Sequence, residues 1–162
     1  MEWSIGIDPG INFTGLAVLR RGVVEKVDLI KRRSDDLESN IYAQCMMYTR
    51  TLDEFFRRFG MLGTGVHRTI EVPRNRPGSP VRVEDILNLS LLAGALAGCG
   101  PVYMTALVTP KQWKGDTPKP VHNVRVLEQM PELSGMLKPW PRGQHEHMID
   151  AVGIAKWRYD QR

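Results

Sequence analysis

The hydrophobic period of this chain changes once, near residue 34, and the change restricts the folds open to it. Before it, Trp3 to Asp8, Gly15 to Arg20 and Val23 to Ile30 are short apolar runs, parted by turns at Gly10 to Asn12 and at Gly22. They predict three strands in an antiparallel meander. After it, Leu37, Ile41, Cys45, Tyr48, Leu52, Phe55 and Phe59 recur every three or four residues. That spacing predicts a helix of about six turns, capped at Ser34, with one apolar stripe. Val66 to Val72 is β-rich, and Pro73, Pro77, Gly78 and Pro80 then enforce a loop. Further on, the pattern predicts a helix over 83–97, a strand over 101–108, a polar loop over 109–120 and a short helix over 121–130. An irregular stretch over 131–143 and a last helix over 145–159 follow. The small residues from Gly94 to Gly98 are expected to seat the 83–97 helix tightly on the sheet. The order β-β-β-α-β-α-β-α-α predicts mixed α/β layers, antiparallel at the start and parallel after the helices.

A chain of 162 residues with 42% hydrophobic and 25% charged residues can bury one core without disulfides or a structural metal. Cys45 and Cys99 have no zinc-binding spacing around them and read as buried free thiols. No run approaches the ~18 apolar residues of a membrane span, and no secretion signal opens the chain, so a cytoplasmic protein without a membrane partner is expected. The net charge is only +4. Its distribution is uneven: Arg68, Arg74, Arg76 and Arg82 form one basic segment, and Lys111, Lys114, Lys119 and Arg125 form another. Such segments are ordinary solvated surface or the means of meeting a phosphate backbone.

Three acids stand out. Asp8 ends an apolar strand and is followed by Pro9, Gly10, Thr14 and Gly15, a sharp turn. Glu71 lies in the apolar run Thr69-Ile-Glu-Val72, where alternation places Ile70 and Val72 on one face and Glu71 on the other. A carboxylate there is costly unless paired, exposed or bound to metal. Asp150 follows His147 by three residues, so a helix puts both on one face near its N-terminus.

Together these elements resemble the RuvC family of Holliday-junction resolvases, within the ribonuclease H-like superfamily. Ile5 to Gly15 is similar to the family's opening Gly-hydrophobic-Asp-Pro-Gly signature with its Thr-Gly pair, Ile70-Glu71 to its second-strand motif, and His147 to Ala155 to its last helix. The resemblance runs along nearly the whole chain. It implies one ribonuclease H-like nuclease domain over residues 1–162, with a mixed five-stranded sheet flanked by helices. It also implies a metal-dependent, structure-selective DNA endonuclease that resolves Holliday junctions by paired symmetric cuts. In such chemistry one ion activates water and a second stabilises the leaving oxygen, about 4 Å apart. Hard Mg²⁺ suits carboxylate oxygens, and Mn²⁺ can substitute. Carried over residue by residue, Asp8 bridges the metals, and Glu71 and Asp150 hold one each. His147 is a ligand or an acid-base group. His145 is at most a phosphate contact, and Glu146 has no matched role.

Lys111, Lys114 and Lys119 fall in the family's backbone-contacting segment, and Arg74 and Arg76 in the loop after the glutamate. These five are the expected DNA contacts. The family's junction-opening aromatic is missing from Glu71-Val-Pro73-Arg74, so a wider range of branched DNA, flaps and forks included, is the alternative substrate class. Trp113 is placed between base stacking and packing, and Trp140 and Trp157 read as structural. Two symmetric cuts imply a homodimer, with the 89–98 segment as the expected interface and no organic cofactor. Two rival readings are a phosphate loop of the actin and sugar-kinase type and a catalytically silent DNA-binding relative. The first needs two lobes where this chain supplies one. The second leaves the three acids without a purpose.

Overall fold

Alternation along the first strand decides how the layers stack. The computed structural model describes residues 3–32, 41–60, 66–74, 81–100 and 104–161. Strand β1 (Trp3–Asp8) sends Ile5 and Ile7 into one core. Its other face carries Ser4 and Gly6, which meet the last helix. β2 (Phe13–Arg20) divides in the same way, with Leu16 and Val18 in the first core and Ala17 and Leu19 in a second. Both faces of the sheet are therefore covered.

The five strands lie in the order β3-β2-β1-β4-β5, where β3 is Val23–Lys31, β4 is Val66–Glu71 and β5 is Met104–Val108. β1, β2 and β3 pair antiparallel, whereas β4 pairs parallel with both β1 and β5. This is the mixed sheet that the residue pattern predicts. Helices α1 (Ile41–Arg58) and α2 (Val83–Ala97) cover one face through Tyr48, Leu52, Phe56, Leu92, Ala93 and Leu96. The other face is covered by α4 (Lys119–Gln129), α5 (Leu133–Leu137) and α6 (His145–Asp160), through Val126, Leu133, Leu137, Met148 and Val152. Helix α3 (Pro110–Lys114) follows β5 directly.

Several expectations need correction. The 109–120 loop contains α3, whose Thr109 and Gln112 form a capping box around Pro110; the start signal is complete, but five residues are too few to show a period. The 131–143 stretch contains α5 and a 3-10 turn at Arg142–Gln144. In α1 the inward row is Gln44, Tyr48, Leu52 and Phe56, and Phe59 is exposed. Ser34 and Leu37 lie outside the described residues. Gly94 does not seat α2, because nothing stands within 4 Å of where its Cβ would be. The two cysteines are half-buried free thiols rather than buried ones.

Arg68 is the largest departure. It is 1% exposed, not part of a basic surface. Its guanidinium donates to the carbonyls of Ala97 (2.6 Å) and Cys99 (2.5 Å) and to Thr105 Oγ1 (3.1 Å), and it lies over the Phe56 ring. The carbonyl end of α2 carries partial negative charge, which offsets the cost of burying a cation there.

Helix α6 approaches the sheet closely at Gly6 and Gly15. A Cβ on Gly6 would fall on the Ala151 carbonyl of α6, and one on Gly15 on the His147 carbonyl. Ser4 Oγ then donates to the Ala155 carbonyl at 2.8 Å. Because the obstacles are backbone atoms, Gly6→Ala has to push α6 off the sheet. A loss of about 2 kcal/mol or more is expected, at the upper end of overpacking costs. Urea unfolding of the variant measures it.

Candidate active site

Strand register brings the first two acids together. β1 and β4 run parallel with Ile7 opposite Ile70, so Asp8 and Glu71 come next at adjacent C-terminal strand ends. By alternation both point to the α6 side. Ligand sites of open α/β sheets gather at such ends. The turn after Asp8 is tied by Thr14, whose hydroxyl donates to the Gly10 carbonyl (3.2 Å) and accepts from the Gly10 N–H (3.3 Å). Tyr48 on α1 donates to the Ile11 carbonyl at 3.0 Å. The Asp8 carboxylate therefore sits on a braced turn.

α6 supplies the rest. His147 Nδ1 is 2.9 Å from Asp8 Oδ2. One turn along, Asp150 is 4% exposed, and its Oδ1 is buried with no hydrogen-bond partner. Lys119 Nζ reaches Asp150 Oδ2 at 3.2 Å and Glu146 at 3.0 Å, and Lys114 Nζ stands 4.0 Å from Asp150. The Trp113 indole N–H donates to Glu71 Oε2 at 2.6 Å.

The electrostatics follow from burial. Burial raises the Asp8 pKa above the ordinary carboxylate range; the His147 hydrogen bond opposes this, and the charge of Asp150 adds to it. Glu71 is pushed up to about 7 by burial and by Asp8, against the pull of Lys114 and Trp113. The hydrogen bond to Asp8 raises His147. Burial disfavours the Lys119 charge, but Asp150 and Glu146 outweigh it and raise its pKa. The acids thus sense one another's charge. Even so, among the described residues no three His, Cys, Asp or Glu side chains are arranged to hold a single metal ion.

Asp8, Glu71, His147 and Asp150 are brought into one site. Lys114 and Lys119, both expected DNA contacts, stand beside its acids, with the Lys119 side chain still 41% exposed. Lys111 is exposed beside Asp116 (3.8 Å), and Arg74 is exposed after β4. Arg76 lies outside the described residues. His145 turns away, its Nε2 2.8 Å from the Trp140 carbonyl. Two partners escaped sequence reasoning. Glu146 anchors Lys119, a contact foreshadowed only by its place four residues before Asp150. Trp113 binds Glu71, and no spacing rule links residues 42 apart.

No family model matches the chain, and no curated protein matches it. Solved structures do. The chain is similar to T. thermophilus RuvC in complex with a Holliday junction substrate, at TM-score 0.64 and 18% identity, over 100% of this chain and 96% of that one. A second Thermus thermophilus RuvC structure gives 0.61 and 20%, over 99% and 95%. The yeast mitochondrial Holliday junction resolvase Ydc2 gives 0.58 and 18%, over 97% and 78%. The fold is that of the ribonuclease H-like proteins. Within that class, the chain resembles the RuvC resolvases along its whole length.

Glu71 gives a pH signature. Folded, it keeps its proton up to about 7; unfolded, it releases it near 4.5. Between those values the folded state binds more protons, so its contribution to stability falls as pH rises. In EDTA, Glu71→Gln should melt above wild type at pH 8, with the gap closing near pH 4. Thermal melts across that range check it.

Proposed function

We propose that the chain is a metal-dependent, structure-selective DNA endonuclease that resolves four-way junctions. The observation that carries this reading is the convergence of Asp8, Glu71 and Asp150, from two strand ends and one helix, into a half-buried cluster beside His147 and two lysines. The donor set suits a hard divalent cation such as Mg²⁺ or Mn²⁺. Asp150 Oδ1 has no partner, and burial and mutual repulsion raise Asp8 and Glu71, costs that a cation relieves. Asp8, Glu71 and Asp150 would share such ions between them rather than close together on one, with His147 at the margin. When bound, such ions activate water and stabilise the leaving oxygen.

The chain's own residues do the remaining work. Asp8 accepts from His147 Nδ1, which orients the ring and leaves Nε2 to hold or deliver a proton at the scissile phosphate. Lys114 and Lys119 offset the acids' charge and attract the backbone, while Arg74 and Lys111 extend the basic surface outward. These phosphate contacts position DNA without reading its sequence. The resemblance to a RuvC bound to a Holliday junction supports branched DNA as the substrate class.

The test is cleavage of a labelled four-way junction beside a flap, a linear duplex and an RNA–DNA hybrid, with Mg²⁺, Mn²⁺ or EDTA. Wild type should make paired, metal-dependent cuts in the junction. Asp8→Asn and Asp150→Asn should lose cleavage by at least about a thousandfold, as removal of catalytic groups does, with junction affinity retained. Preferential flap cutting would support the wider branched-DNA reading. Undiminished cleavage by Asp8→Asn would sink the site.

Paired cuts require two sites, and a homodimer supplies them. The outer face of α2 exposes Val83, Leu87 and Leu91, at 66%, 58% and 57%, in a four-residue stripe. The 89–98 segment, the expected interface, contributes Leu91 to this face, whereas its Leu92, Ala93 and Leu96 pack inward. Leu87→Glu with Leu91→Glu should convert a dimer to a monomer in light scattering. An unchanged mass would count against this face.

A further inference from the structure

Trp113 is neither a base-stacking residue nor mere filler. It is 7% exposed and belongs to a small core with Val108 and Ile154, against which Trp157 packs. A buried indole N–H requires a partner, and of the groups around it this one takes the carboxylate of Glu71 at the end of β4, donating to Oε2 at 2.6 Å. Short bonds from a neutral donor to a carboxylate are among the stronger ones and have a defined direction.

The ring itself is held from three sides. The His122 imidazole meets it edge-on, with ring centres 4.7 Å apart. The Lys114 ammonium stands 4.7 Å from the ring centre. Beneath it, Gly153 of α6 leaves the seat open. A Cβ there would come within 2.7 Å of Trp113 Cζ3 and 2.8 Å of His122 Nε2. The capping box of α3 fixes the backbone that presents the side chain. The indole is thus clamped by α3, α4 and α6, one turn of α6 beyond Asp150.

We infer that Trp113 is a positioning residue for Glu71: its indole N–H sets the rotation of the carboxylate and leaves Oε1 free to act, and Gly153 is the seat that aims it. A glutamate side chain has three rotatable bonds, and holding one oxygen removes most of that freedom at the site where orientation decides rate. The inference rests on the nuclease reading. It adds a requirement that none of the acids reveals alone.

The experiment pairs kinetics with an NMR signature. In the ¹⁵N spectrum, one indole N–H signal should vanish in Trp113→Phe, and the same signal should move in Glu71→Gln. On the four-way junction, Trp113→Phe should lower kcat by roughly tenfold or more, the worth of one hydrogen bond to a charged group, with KM and junction affinity unchanged. Gly153→Ala keeps the donor but displaces the ring, so it should shift the same signal and lower kcat in the same direction. It also decides the matter should Trp113→Phe fold poorly. Wild-type kcat in both variants, or an indole signal indifferent to Glu71→Gln, overturns the positioning role alone. A wild-type chain that cuts no branched DNA overturns the nuclease reading and the positioning role with it.

Discussion

The contact on which the rest depends is backbone against backbone, where α6 comes down on β1 and β2 at two glycines. Gly6 and Gly15 make that possible, and the Ser4 hydroxyl fastens the helix farther along. A Cβ at either glycine would strike the carbonyls of α6 and hold the helix off the sheet. With neither Cβ present, an aspartate on α6 comes near enough to the aspartate at the end of β1 for each to sense the other's charge. Longer acids would have to reach across a wider gap and would forfeit their fixed orientation. The glycine beside Asp8 is therefore as much a part of the site as the acid.

That closeness has an electrostatic cost, and the two faces of the sheet meet such costs differently. On the α6 face, acids are buried together, and histidine, two lysines and an indole N–H offset what repulsion they can. Asp8 and Glu71 remain raised. On the opposite face, Arg68 is buried with its two terminal nitrogens held by carbonyl oxygens at a helix end, while its Nε has no hydrogen-bond partner. On the acid side, Asp150 Oδ1 is likewise unpartnered, but it faces neighbouring acids and lysines rather than a helix end.

Much of this was legible in the residues. Strand alternation placed Ile70 inward and Glu71 opposite, the i, i+3 spacing put His147 and Asp150 on one helix face, and helix 83–97 appears with the expected bounds. What stayed hidden was whatever depends on distant pairing. Arg68 looked like its arginine neighbours because nothing local says that a helix will end above it. Lys114 and Lys119 looked like surface because their acids lie 27 to 36 residues away, and the link from Trp113 to Glu71 is of the same kind. The short helices α3 and α5 escaped for a different reason: five residues hold little more than one turn, so periodicity has nothing to repeat.

The buried Arg68 also has a mechanical meaning. It grips the end of α2, and it sits on β4 three residues before Glu71, on the opposite side of the strand. The helix whose outer stripe is bare and the strand that ends in Glu71 are thereby bolted together through the sheet. A load taken up by α2 therefore has a path into β4 through a side chain as well as along the backbone.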